Sequence, residues 1–373
     1  MKKLYIKILI CFTSFGMAQI PANYYNNATG TGYTLKTQLF NTINNNTNSA
    51  SSSANYGGLW TLYTENAFRD LYYENDNSLL DVYSEKPTGP DSYSYTGTSQ
   101  QCGNYNSEGD CYNREHTVPQ SYFGGSGSYP MYSDAHFVLP SDGKVNAQRN
   151  DFPYGKVNVA TWTSTNGSKL GSNLNSGYSA GYTSTVFEPI DEFKGDVARC
   201  LLYFVTRYQD QLSNFYSNST STAKVMFDGS SNHSFSNTFL NILLTWHASD
   251  PVSNYEIAKN NAVYTFQGNR NPFIDHPEWV QSIWGSPLKI SDFDSLENIV
   301  VYPNPTNNKT IYINSDISLD EIELINLNGQ LIQVIKNPLF INKSFDIQNL
   351  NQGFYFLKLK AENQMIIKKI FVN

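Results

Sequence analysis

Apolar positions along this chain follow three rhythms, and each predicts a different kind of structure. A short apolar run at residues 8–17 follows Lys2, Lys3 and Lys7, and Gly16-Met17-Ala18 then puts small residues before Gln19. A basic start, a short apolar stretch and a small-x-small end make a secretory leader, and the run is too short to span ~30 Å of hydrocarbon. We therefore expect a signal peptide over residues 1–18 and no stable membrane span. Further along, Val197, Cys200, Leu201, Phe204, Val205 and Tyr208 recur at helical spacing, as do Phe239, Ile242, Leu243 and Trp246. Helical stretches also fall around residues 35–43 and 59–72. Asp250-Pro251 reads as a helix start running toward Tyr264, with Asp as N-cap and Pro in the first position. Residues 155–190 are rich in Gly, Ser, Thr and Asn and read as loops with short strands.

From residue 299 onward the rhythm becomes strict alternation. Thr310-Ile311-Tyr312-Ile313, Glu321-Ile322-Glu323-Leu324 and Phe354-Tyr355-Phe356-Leu357-Lys358-Leu359 read as strands, and Asn328-Gly329 as a hairpin turn. Residues 299–373 thus predict a small β-sandwich. A polar linker at 287–298, with Asp292, Asp294, Ser295 and Glu297, separates it from a large mixed domain at 19–286.

Composition narrows the picture. The 373 residues are 40% hydrophobic and 14% aromatic, enough for a large core and against global disorder. The net charge is −7. Three lysines lie in the leader and the C-terminal module is nearly balanced, so the acidity sits in the large domain. A protein that coats nucleic acid by overall charge should be basic, so any such contact must rest on a local basic cleft and a metal ion. Beyond the leader, the cysteines are Cys102, Cys111 and Cys200. Cys102 and Cys111 flank a Gly/Asn-rich loop, and in an oxidising compartment they should form a disulfide. Closing so short a loop adds roughly 2–3 kcal/mol in the chain-entropy picture, and would pin the strand entering Glu115-His116. Cys200 lies in a helical apolar pattern and reads as an inert buried thiol. No cysteine spacing matches a structural zinc site.

The densest chemistry lies in Asn113-Arg114-Glu115-His116 and, thirty residues on, in Lys144-Val145-Asn146-Ala147-Gln148-Arg149. His116 has the side chain whose ordinary pKa best suits a general base. Glu115 and the neutral oxygen of Asn146 suit a hard divalent cation, Mg²⁺ or Ca²⁺. Residues 111–118 read as one strand and 134–139 as a second, ended by Pro140. Ser141 or Asp142 would then cap a short helix whose one face carries Asn146 and Arg149. Glu115 and His116 are neighbours on a strand and point to opposite faces, so a twist or bulge must let both serve one site.

These segments, with Pro119-Gln120-Ser121, Asp134-x-His136-x-x-x-Pro140, Phe187-Glu188-Pro189, Lys194-Gly195-Asp196-Val197-Ala198-Arg199 and Gln267-Gly268-Asn269-Arg270-Asn271-Pro272-Phe273, resemble the endonuclease I family of secreted nucleases, of the His-Me finger group. The resemblance covers most of residues 20–286. It implies an α+β fold in which a ββα-metal motif is surrounded by helices. It also implies sequence-non-specific hydrolysis of DNA, and possibly RNA, giving 5′-phosphate and 3′-hydroxyl ends. Glu115 and Asn146 would hold one divalent ion, His116 would act as base, and Arg149 would stabilise the scissile phosphate. Arg114 and Arg270 are further candidates for substrate contact, Arg270 serving either phosphate or its own loop. Phe137 and Val118 depart from the family's usual Asn and Trp, beside the site. Tyr302-Pro303-Asn304-Pro305, Gly353-Phe354-Tyr355 and the ending Lys368-Lys369-Ile370-Phe371-Val372 resemble the C-terminal sorting domain of the type IX secretion system. That resemblance implies export by that machinery to an extracellular or surface-attached state; separately, we expect a monomer.

Blander readings stand beside these. Glu115 and His116 could be a structural hydrogen-bonded pair, and Asp134 and His136 could orient the site or brace the core. Lys194 and Arg199 sit at a helix start, where cations oppose the dipole, so they serve either ion pairs or phosphate. His276 reads as a turn brace, and His233 and His247 as surface or helix-end residues. The C-terminal module could instead be a carbohydrate- or protein-binding β-module. A phosphoesterase acting on nucleotides, or a non-catalytic surface-binding protein on the same scaffold, are the alternative functions.

Overall fold

The computed structural model describes residues 20–45, 54–285, 299–315, 319–341, 343–361 and 364–373. The leader at 1–18 and the linker at 287–298 lie outside the described residues. The chain divides into two compact units, Met1–Gly285 and Ser286–Asn373.

In the first unit, α1 (Gly32–Asn45) and α2 (Gly58–Leu62) precede an antiparallel ribbon of β1 (Tyr112–His116) and β2 (Val138–Asp142). The ribbon runs straight into α3 (Gly143–Arg149), whose N-cap is Asp142, accepting from Val145 N at 2.8 Å. A second sheet follows in the order β3 (Val157–Thr163), β4 (Lys169–Asn173), β5 (Thr185–Glu188). Helices α4 (Lys194–Arg207), α5 (Leu212–Asn218), α6 (Asn237–Ser249), α7 (Asn254–Gln267), α8 (Pro272–Asp275) and α9 (Glu278–Ile283) complete the unit.

Helix α4 is the spine of this unit, and all of its residues are buried. Its apolar residues join one continuous core with those of α1, α6 and the ribbon. A helix buried all round must pair every charge it carries. Arg199 forks onto Glu256, Nε to Oε1 at 2.6 Å and Nη2 to Oε2 at 2.7 Å. Lys194 donates to Glu188 at 2.6 Å and also to Asp191. Both cations at this helix start are therefore held in ion pairs.

Arg207 reaches Asp134 at 2.5 Å, and that carboxylate also accepts from Tyr208 at 2.7 Å and Gln267 at 2.7 Å. Burial opposes the charge of Asp134, but Arg207, His136, Gln267 and Tyr208 outweigh it and hold its carboxyl below its ordinary value. His136 gives its Nε2 to the Asn269 carbonyl at 2.9 Å and is buried at the same hub. Asp134 and His136 brace the core. Asp134→Asn should cost about 3–5 kcal/mol, because it leaves Arg207 buried and unpaired; denaturant unfolding measures it. Because the carboxyl is depressed, its contribution is full above the ordinary aspartate pKa and is lost as pH falls through the lowered value.

Several boundaries differ from those read in the sequence. The stretch 59–72 is not one helix: α2 ends at Leu62 and a single 3₁₀ turn, Asn66–Phe68, follows. Helix α7 starts at Asn254, not at Pro251, because Ser253 and Glu256 close a capping box. Asp250 instead accepts from Gly195 N at 2.7 Å, at the start of α4. The second ribbon strand begins at Val138, since residues 135–137 form a turn bonded back to Asp134. Pro140 does not end that strand but lies within it, opposite Arg114. A two-stranded ribbon has an outer edge on which a missing N–H leaves no gap in the ladder.

The second unit is β-rich. One sheet has the order β10 (Ser344–Ile347), β7 (Ile311–Asn314), β6 (Val300–Tyr302). The other has the order β12 (Gln364–Val372), β11 (Gly353–Ala361), β8 (Glu321–Asn326), β9 (Leu331–Lys336). The alternating residues Ile311, Ile313 and Ile347 of the first sheet share one core with Ile322, Leu324, Leu357 and Leu359 of the second. The turn at Asn328-Gly329 joins β8 to β9, with Gly329 at φ +80°.

Candidate active site

A cleft of about 320 Å³ opens where the end of β1 meets α3. Its walls carry Arg114, Glu115, His116, Gln120, Asn146 and Arg149, so residues more than thirty apart in sequence converge. The disulfide fixes this junction. Cys102 and Cys111 are bonded, with Cα atoms 5.0 Å apart, and Cys111 O accepts from Gly143 N, the first residue of α3. A Cβ on Gly143 would meet Cys102 Sγ at 2.6 Å, so helix and disulfide touch too closely for any larger residue. Cys200 is free and buried, its thiol pushed up by burial to about 12, as befits an inert group.

His116 is the last residue of β1 and is 5% exposed. Its Nε2 lies 3.1 Å from the Tyr132 carbonyl, and its Nδ1 lies 3.1 Å from the Gln120 side-chain nitrogen. A carbonyl only accepts and an amide NH₂ only donates. The proton is thereby assigned to Nε2, and Nδ1 keeps its lone pair. The ring stacks on Tyr132 with centroids 5.7 Å apart. Burial, and the positive charges of Arg114 and Arg149, hold the imidazole down at about 3 despite the Tyr132 carbonyl. It is a neutral acceptor at physiological pH.

Glu115, the preceding residue, is also buried and also reaches the cleft. Strand alternation is relieved because β1 ends here, at the edge of the ribbon. The Oε1 of Glu115 takes Tyr83 Oη at 3.2 Å, Tyr154 Oη at 3.4 Å and the Arg149 guanidinium at 3.2 Å. Burial raises the carboxyl, while Arg149 and the two phenols pull against it. Among the described residues nothing donates to Oε2, nor to the side-chain oxygen of Asn146 on the facing helix. One carboxylate oxygen and one amide oxygen thus stand uncommitted on the walls of one cleft. That donor set fits a hard divalent cation completed by water.

Arg149 lines the cleft but is 1% exposed. Its Nη1 donates to the His116 carbonyl at 2.8 Å and its Nη2 to the Thr117 carbonyl at 2.6 Å. It therefore ties the end of β1 to α3 and holds Glu115, with Nε left unpartnered. Arg114 stacks between Tyr56 and Trp60, 3.5 and 4.1 Å from their ring centroids, and gives one nitrogen to the Tyr56 carbonyl. Arg270 is not brought to this cleft. It forks onto Asp275 at 2.6 and 2.7 Å and is buried in its own loop, so the structure places it as a brace.

Tyr83, Tyr154, Tyr132 and Gln120 were not picked out as site residues from sequence. Only Gln120 stood inside a quoted motif, and nothing in periodicity separates the three tyrosines from the many others.

The family model for endonuclease I matches residues 31–278. The chain belongs to the endonuclease I family. Residues 300–373 match the secretion system C-terminal sorting domain. An extracellular ribonuclease of Bacillus amyloliquefaciens is 30% identical over 266 residues, 70% of this chain and 78% of its own length. An extracellular ribonuclease of Bacillus subtilis (strain 168) is 31% identical over 266 residues, with the same two shares, 70% and 78%. Endonuclease-1 of Buchnera aphidicola subsp. Baizongia pistaciae (strain Bp) is 23% identical over 142 residues, 38% of this chain and 46% of its own. This chain is a secreted or cell-surface nuclease, a hydrolase acting on nucleic acids, with a sorting tail. No helix among the described residues is long and apolar enough to cross a membrane.

Proposed function

We propose that the protein is a metal-dependent, sequence-non-specific endonuclease of DNA and RNA, built on a His-Me finger formed by β1, β2 and α3. The observation that carries this reading is the tautomer lock on His116: the Tyr132 carbonyl accepts from Nε2–H, so Nδ1 keeps its lone pair on a residue that lines the cleft with Glu115 and Asn146.

Glu115 Oε2 and the Asn146 side-chain oxygen would hold one divalent ion, Mg²⁺ or Ca²⁺. Such an ion, when bound, supplies Lewis-acid neutralisation of the phosphate and of the leaving 3′-oxygen. His116 Nδ1 takes the proton of the attacking water as the water oxygen bonds to phosphorus. The P–O3′ bond breaks and the leaving 3′-oxygen takes a proton from solvent water, giving a 5′-phosphate and a 3′-hydroxyl. Gln120, which donates to Nδ1 at 3.1 Å, must release it to the water and can then orient that water. Tyr132 keeps the imidazole ring in place by stacking, and Tyr56 packs against it at a tilt. Arg149 holds Glu115 in its acceptor orientation and completes the positive wall with Arg114, whose guanidinium is presented flat between two rings. No overall basic charge is required, because these cations are local to the cleft.

RNA belongs in the proposed range because two relatives carry the name ribonuclease. Purified protein should nick supercoiled plasmid and degrade single-stranded RNA, and a chelator should abolish both until Mg²⁺ or Ca²⁺ is restored. Cleavage that persists in excess chelator removes the metal from the mechanism. Hydrolysis of nucleotides without polymer cleavage would instead favour a phosphoesterase.

A further inference from the structure

Away from the cleft, the loop after Arg69 gathers carboxylates that form no ion pair among the described residues. Asp70, Glu74 and Glu85 each place a carboxylate oxygen within 4.8 Å of the others, and Glu74, Asp76 and Asp91 do the same. Glu74 is common to both groups. None of the five lines the cleft, and none takes part in an ion pair found among the described residues. The nearest lysine in sequence, Lys86, gives its ammonium to Ser92 Oγ at 2.5 Å instead.

The second observation concerns Glu85. Its side chain is 1% exposed, and both its oxygens are buried with no donor group to meet them among the described residues, only the Glu74 carboxyl beside them. Both oxygens of Glu74 are in the same condition. An unpartnered buried carboxylate is costly, and two side by side are costlier still. Asp70, by contrast, is fixed as part of a scaffold: its oxygens accept from the backbone of Tyr73 at 2.9 Å and Asn75 at 2.6 Å. Oxygens bound to one calcium at 2.3–2.6 Å lie up to roughly 5 Å apart, which is the spread seen here.

We propose that Asp70, Glu74 and Glu85 hold a calcium ion outside the nuclease cleft, with Asp76 and Asp91 forming its more exposed mouth. The ion would pin the 70–78 loop to the buried segment 81–85. That segment carries Tyr83, which donates to Glu115, and Asp81, which accepts from Asp142 N at 2.6 Å beside α3. The site is thus built to stiffen the wall of the cleft and to make the exported protein depend on extracellular calcium for stability.

The test uses the full chain, freed of metal by chelation and titrated with Ca²⁺ alone by calorimetry, with thermal melting in parallel. The variants are Glu85→Gln, Glu74→Gln and Asn146→Ala. Saturating calcium should raise the melting temperature of the wild type and of Asn146→Ala by about 5–10 °C, and that of either Gln variant little. Of two calcium equivalents in the wild type, either Gln variant should lose the one that raises the melting temperature, and Asn146→Ala should keep that one while its cleft equivalent binds more weakly. The two amides are isosteric and relieve like-charge repulsion, so their metal-free melting temperatures should equal or exceed the wild type's. Glu74→Gln, at the less buried position, covers a failure of Glu85→Gln to fold. The rival is a proton shared between Glu74 and Glu85. It requires that calcium leave the wild-type melting temperature unchanged, or shift the Gln variants equally, and either result overturns the proposal. Failure of the cleft reading is seen separately, as a cleft equivalent whose calcium affinity is unaltered in Asn146→Ala.

Discussion

Replacing His116 with alanine should lower cleavage of plasmid by ~10²–10⁴ while leaving metal binding in place, because general-base loss typically costs that much. The geometry sharpens the expectation. Nδ1 is the acceptor, since the Tyr132 carbonyl holds the proton on Nε2. A small diffusible base that enters the cavity should therefore recover part of the turnover, and added imidazole is the reagent to try. The alanine variant loses the ring that stacks on Tyr132 and packs against Tyr56, so its melting temperature must be measured alongside. A variant that melts like the wild type, cuts slowly and responds to imidazole has lost chemistry rather than fold. Near-normal turnover would remove His116 from the mechanism and return the Glu115-His116 pair to a structural role.

The helices around the site were legible because burial writes a 3.6-residue rhythm into them. Helix α4 is the clearest case: Val197, Leu201, Phe204 and Val205 sit where the spacing puts them. What that rhythm could not reveal is that the other faces of α4 are buried too. Its charges then need partners, and those partners, Asp134 for Arg207 and Glu256 for Arg199, lie more than fifty residues away. Asp134-x-His136 left two readings open, orienting the site or bracing the core, for the same reason. A buried Arg, two phenols and an amide converge on Asp134, and the backbone there turns instead of extending.

The cleft was legible where its ligands are local. Asn146 and Arg149 are three apart on a helix, and both do line it. Sequence spacing could not say which way the Arg149 guanidinium turns. The ribbon ends at His116, which leaves the carbonyls of His116 and Thr117 turned toward α3, and a buried guanidinium takes up such acceptors. Arg270, open in the sequence between phosphate and its own loop, pairs within the loop, with Asp275 five residues on.

That inward turn of Arg149 separates the expected behaviour of two mutants on one helix face. Asn146→Ala removes an uncommitted oxygen donor and breaks no side-chain hydrogen bond found among the described residues. Its melting temperature in chelator should match the wild type's, and the metal concentration for half-maximal activity should rise, by on the order of 10–100-fold if a ligand counts at least as much as its supporting shell. Turnover should return toward normal at saturating metal. Arg149→Ala removes a guanidinium bonded to two carbonyls and paired with Glu115. Breaking a buried pair from one side costs about 3–5 kcal/mol, so this variant should unfold at clearly lower denaturant, and metal should not restore its turnover. Arg149→Lys should recover only part of the loss, since one ammonium cannot span both carbonyls and the carboxylate as the planar fork does. Denaturant melts and metal titrations on duplex DNA, run on all three variants, read both effects. If Arg149→Ala melted like the wild type and recovered with metal while Asn146→Ala did neither, Asn146 would be the brace and Arg149 the residue on which metal binding depends.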